Sequence, residues 1–145
     1  MQLFSSSTIQ AMVPGSYNCL MYAMGDTDNS RGVFDVFQKY FFQNGGNGPD
    51  AFEAMCRELR ILFKTTLKFT EANIAIASFL YISGRDYEGF PIENPDYHLI
   101  RKVGGIWMEK NECFKKVIPT RVPSKQLAEW QAGSTSEQRI AYYVI

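Results

Sequence analysis

Two β-rich runs flank a pair of glycines in DYHLIRKVGGIWMEKN, residues 96–111, and no other stretch limits the fold of this chain so tightly. A two-residue turn at Gly104 and Gly105 suits the positive φ angles that a tight hairpin needs. Such a turn pairs Val103 with Ile106, and counting outward sets Ile100 opposite Glu109 and His98 opposite Asn111. Opposed residues point to the same side of a sheet, and side chains alternate along each strand. His98, Glu109 and Asn111 are therefore expected on one face.

The segments around this hairpin divide by period. NIAIASFLYIS, between Thr70 and Gly84, is too apolar and too branched for a surface helix and reads as a central strand. FKKVIPTRV is a further strand, RIAYYVI a final one, and Ser124 caps a short helix KQLAEW between them. Ahead of the strands the spacing is helical. SYNCLMYAM, with Ser16 as cap, predicts a short helix over Cys19–Met24, ended by the turn residues GDTDNSRG. VFDVFQKYFFQ places Val33, Phe34, Phe37, Tyr40 and Phe41 on one face and is stopped by NGGNGP. Asp50 and Glu53 resemble a capping box at the start of a long helix whose apolar stripe is Phe52, Met55, Cys56, Leu59, Phe63 and Leu67. Helices first and strands after predict an α+β fold, with helices packed on an antiparallel sheet. With 46% hydrophobic and 14% aromatic residues in 145, the chain has the material for one domain, residues 1–145, with its own core.

Charge narrows the function classes. Lys and Arg together number 15, as do Asp and Glu, so there is no basic excess to neutralise a nucleic acid or an anionic membrane surface. No segment approaches the ~20 apolar residues of a membrane span. MQLFSSSTIQAMVPG lacks a basic start followed by a long apolar run, so the expected location is cytoplasmic, or reached by a route without a cleaved signal peptide. The cysteines, Cys19, Cys56 and Cys113, are odd in number and form no CxxC pair, which points to a reducing compartment and to no metal and no cofactor.

Cys19 falls in the first turn of its helix, where helix dipole and backbone N–H groups favour a thiolate. His98 is the one histidine of the chain and the natural general base for it. Either Asn111, through a neutral amide, or Glu109, through a carboxylate that also stabilises an imidazolium, could orient that ring. Cys56 sits on an apolar stripe and reads as inert packing. Asn18 is an oxyanion donor or, with more weight, a local cap; Tyr22 and Trp107 line a substrate cleft or fill a core. Arg101 and Lys110 read as solvated strand-edge charges.

YNCLMYAMGDT and DYHLIRKVGGIWMEKN together resemble small bacterial papain-like (NlpC/P60-related) proteins that carry an NCxxYAxG helix start and a later HxxR and GxWxxK hairpin. The match covers Asn18, Cys19, Tyr22, Ala23 and Gly25, then His98, Arg101, Gly105, Trp107 and Lys110; residues 26–95 match nothing in that pattern. The chain departs from it at Glu109, where the family often has His or Ser, and after Lys110, where NEC replaces a Pro/Gly-like stop. The resemblance implies a papain-like thiol hydrolase fold with Cys19 as nucleophile and His98 as base. The corresponding reaction is attack on a peptide, isopeptide or glutamine amide of a protein or peptide substrate, as in a bacterial effector or toxin that cleaves or deamidates. GDTDNSRG, NGGNGP and GRDYEGFPIENP would wall the cleft. The runner-up is a catalytically silent papain-like module that binds a protein partner, an adaptor or immunity protein. A third reading has the aromatic helix VFDVFQKYFFQ mediate oligomerisation.

Overall fold

The computed structural model describes residues 17–110, 116–120 and 139–145. Among them are three helices, α1 (Cys19–Met24), α2 (Val33–Gln43) and α3 (Gly48–Glu58), and strands β1 (Lys64–Thr66), β2 (Ile74–Arg85), β3 (Pro91–Val103), β4 (Ile106–Glu109), β5 (Ile118–Pro119) and β6 (Arg139–Val144). The strands form one antiparallel sheet in the order β1-β6-β2-β3-β4-β5. The architecture is α+β, as the order of periods predicts. The expected cap Ser16, the helix headed by Ser124, Asn111 and Cys113 lie outside the described residues.

Each helix is fixed by a local device. Asn18 caps α1, its Oδ1 accepting from Met21 N at 2.8 Å, and Gly25 ends the helix at φ 68°. No side chain caps α2 at Gly32; instead the buried Asp26 carboxylate accepts from Arg31 N at 3.1 Å and from Val33 N at 3.3 Å at the helix start. Thus GDTDNSRG is folded around a buried acid, with Thr27, Asp28, Ser30 and Arg31 exposed. Asn47 caps α3 by accepting from Asp50 N at 3.1 Å, with Pro49 in the first turn. The cap comes from NGGNGP itself, three residues ahead of the expected Asp50 and Glu53 box.

The third helix is shorter than its apolar stripe. It ends at Glu58, and Arg60 adopts φ 57°, turning the chain into β1. Phe63 still reaches the core, its ring 5.8 Å from that of Tyr143, but from the connection between α3 and β1, and Leu67 is 98% exposed.

The sheet is buried on both faces. Ile74 and Ile76 of β2, Leu99 of β3 and Tyr143 of β6 join the three helices in one large core. Their strand neighbours Ala75, Ile100 and Tyr142 turn the other way and pack with Ala72 and Trp107. Phe37 and Phe41 of α2 meet the Tyr97 ring at 4.6 and 5.2 Å. Phe37 and Phe41 are thereby spent inside the molecule, while Phe42 of the same helix stays 60% exposed.

β2 and β3 outrun their other neighbours. Among the described residues β6 pairs with β2 only over Ile74–Ser78, and β4 pairs with β3 only over Ile100–Val103. β2 and β3 continue together as a two-stranded ribbon to Arg85 and Pro91. GRDYEGFPIENP is thus mostly ribbon and turn. Pro91 and Pro95 are tolerated in β3 because the strand carries no second neighbour there among the described residues.

Candidate functional site

The hairpin register is the expected one: Val103 pairs with Ile106 and Ile100 with Glu109. His98 and Glu109 accordingly share a face, and His98 Nε2 lies 3.1 Å from Glu109 Oε2. Both residues are buried. A carboxylate only accepts, so with Glu109 ionised the proton of this bond belongs to Nε2. Asp96 stands two residues before His98 on the same face, 7% exposed, and its carboxyl is pushed up to about 7 because burial disfavours the charged form, partly offset by the Tyr97 N–H. The far face of the sheet therefore carries a buried row of acid, imidazole and acid.

Cys19 belongs elsewhere. It is the first residue of α1, 2% exposed, and packs in the helix-side core. Both ends of α1 are tied to β3 through residues of odd number. Asn18 Nδ2 donates to the Tyr97 hydroxyl at 3.3 Å, and Arg101 Nη1 donates to Ala23 O at 3.1 Å, in the last turn, where the helix dipole favours a cation. Tyr97, Leu99 and Arg101 face the helices, and the pairing of β2 with β3 is regular from Ile74 to Ile82, so His98 and Ile100 face away. Cys19 packs in the helix-side core, while strand parity directs the His98 side chain to the other face. This parity stands against the expected Cys19–His98 pairing, because one residue along a strand exchanges faces.

The remaining candidates find structural partners. Asn18 is fully buried and engaged as cap and tether, in keeping with its role as a local cap. Tyr22 is half-buried, its hydroxyl pKa raised by burial against the lowering influence of Arg101. Trp107 lies in the far-side cluster, with the Lys102 ammonium 5.2 Å from its ring centre. Cys56 is fully buried and burial pushes its thiol up to about 12, which fits inert packing. Arg101 and Lys110 are not solvated edge charges: the first caps α1, and the second is buried with its ammonium 4.5 Å from the Tyr17 ring centre.

Sequence reading missed Tyr97, Asp26 and Asp96. Asp96 and Tyr97 immediately precede His98 in the quoted hairpin, and that adjacency was their signal. No cluster of His, Cys, Asp and Glu among the described residues could hold a metal ion, and no described helix is long and apolar enough to cross a membrane. No family model, curated protein or solved structure matches the chain.

Proposed function

We propose that this chain is a catalytically silent, papain-like module that binds a protein partner. The observation that carries the reading is the parity of β3: Tyr97 and Arg101 hold α1 on one side of the sheet while His98 meets Glu109 on the other. A thiolate stabilised by an imidazolium needs the two groups in contact. Binding has material to work with, since the ribbon of β2 and β3 ends in exposed Tyr87 and Phe90, which no core covers.

Thiol hydrolysis of an amide, with Cys19 as nucleophile and His98 as base, is the second reading; it draws on the buried His98–Glu109 pair, the orienting half of such a site. Iodoacetamide labelling between pH 5 and 9, with the modified cysteine mapped by mass spectrometry, separates the two. The binding module predicts slow labelling of Cys19 at every pH below 8, unchanged by His98→Ala. Fast labelling of Cys19 below pH 7, slowed by His98→Ala, would overturn it.

A further inference from the structure

The ribbon tip is a built feature. Asp86 Oδ1 accepts from Glu88 N at 2.9 Å and from Phe90 N at 3.0 Å, Asp86 N donates to Phe90 O at 2.9 Å, and Arg85 Nη1 donates to Gly89 O at 2.9 Å. These bonds hold the turn in one shape and leave Tyr87 97% and Phe90 62% exposed, with Ile92 exposed beside them. Two large aromatics held open in water by a rigid turn are prepared for contact, because little freedom is lost when they are covered. Their charged neighbours are the acids Asp86, Glu88 and Glu93, against Arg85, whose guanidinium is occupied by the turn.

The opposite end of the molecule carries the complement. Between α3 and β2, Leu62 is 91% and Leu67 98% exposed, and the exposed charges interleaved with them are Arg60, Lys64 and Lys68. Glu71, the next acid along the chain, is engaged by the Thr66 hydroxyl at 3.3 Å. This stretch includes β1, which among the described strands lies at the edge of the sheet and pairs only with β6.

The two patches cannot meet within one chain. β6 aligns Thr66 and Ile74 with Tyr142 and Tyr143, so the basic patch lies level with the start of β2, whereas the tip lies beyond Arg85. Eleven residues of strand separate the two levels, roughly 35 Å at ~3.3 Å per residue. We infer that the acidic aromatic tip of one copy docks on the basic, leucine-bearing edge of a second copy, a head-to-tail association of this chain with itself. It rests on the partner-binding reading and names the partner. Opposite charge around apolar groups sets register and orientation, and a contact between two different patches propagates into chains or rings instead of closing a dimer. With so few residues a side it is weak and salt-sensitive.

Sedimentation velocity on the full chain tests it. The average mass of the native protein is expected to rise with concentration at low salt and to fall back at high salt. A tip variant, Tyr87→Ser with Phe90→Ser, and an edge variant, Leu62→Ser with Leu67→Ser, are each expected to associate at least tenfold more weakly. An equimolar mixture of the two retains one intact tip and one intact edge, and should form a species of dimer mass and nothing larger. All four side chains are exposed, so near-UV circular dichroism should stay native; the charge variants Glu88→Lys and Lys64→Glu, weak alone and associating when mixed, repeat the test without touching an apolar group. A native chain that stays monomeric throughout overturns self-docking while leaving partner binding intact. A mixture that stays monomeric, or single variants that associate like the native chain, overturns it as well.

Discussion

His98 meets Glu109 across two neighbouring strands, 3.1 Å from Nε2 to Oε2, on the face of the sheet that the three helices do not cover. This contact organises the far side of β3. Removing Glu109 leaves a buried imidazole N–H without its acceptor, which costs about 1–3 kcal/mol. Glu109→Ala should therefore lower stability by that amount in urea unfolding. A double-mutant cycle with His98→Leu should show coupling well above ~0.5 kcal/mol, the scatter of independent sites.

Asn18 is predicted to act on stability rather than chemistry. It caps α1 and also donates to Tyr97, so Asn18→Ala forfeits a cap worth about 1 kcal/mol and a tether to β3. Asn18→Ser, which can still cap but cannot reach as far, should recover part of the loss. The readout is the denaturant midpoint at unchanged slope.

Asp96 gives the fold a pH signature. Its folded pKa is raised to about 7 from an ordinary carboxyl value, so the folded protein holds a proton that the unfolded chain has already released. Stability from this group is fully present below about pH 4, the ordinary carboxyl range, and is lost as pH rises through 7. Asp96→Asn should flatten the decline in stability between pH 5 and 8, measured by thermal unfolding across that range. A decline of unchanged steepness would assign it to another group.

Gly45 and Gly46 offer a paired comparison. Both have positive φ, 64° and 86°, but a side chain at Gly45 would enter open space, while a Cβ at Gly46 would sit 2.5 Å from Pro95 Cβ. Gly46→Ala should destabilise by well over 1 kcal/mol, and Gly45→Ala by about 1 kcal/mol, the cost of the backbone conformation alone.

What could be read in the sequence follows from which signals are local. Gly104 and Gly105 pin the hairpin, so the register and the shared face of His98 and Glu109 were legible, though not the choice of Glu109 over Asn111. The faces were not. In a strand buried on one side, alternation of polar and apolar residues marks the core face, but here Tyr97 and Leu99 bury one way and His98 and Ile100 the other. With both faces covered, DYHLIRKV carries no sign of which side receives α1, and that choice decides whether Cys19 can meet His98. α3 illustrates the opposite error. Phe63 and Leu67 continue its 3.6-residue spacing by coincidence, past the left-handed Arg60 that ends the helix. Arg101 and Lys110 looked solvated because charge predicts exposure, whereas a helix C-terminus and an aromatic ring gave them partners in the fold.

The separation of Cys19 from His98 is the claim on which the rest depends, and the chain's one histidine makes it directly measurable, since its ring protons are uniquely assignable by NMR. In a spectrum of through-space contacts, those protons should show cross-peaks to Ala77, Ile100 and Glu109 and none to the β-protons of Cys19. A cross-peak between Cys19 and the His98 ring would contradict the account and restore the thiol hydrolase.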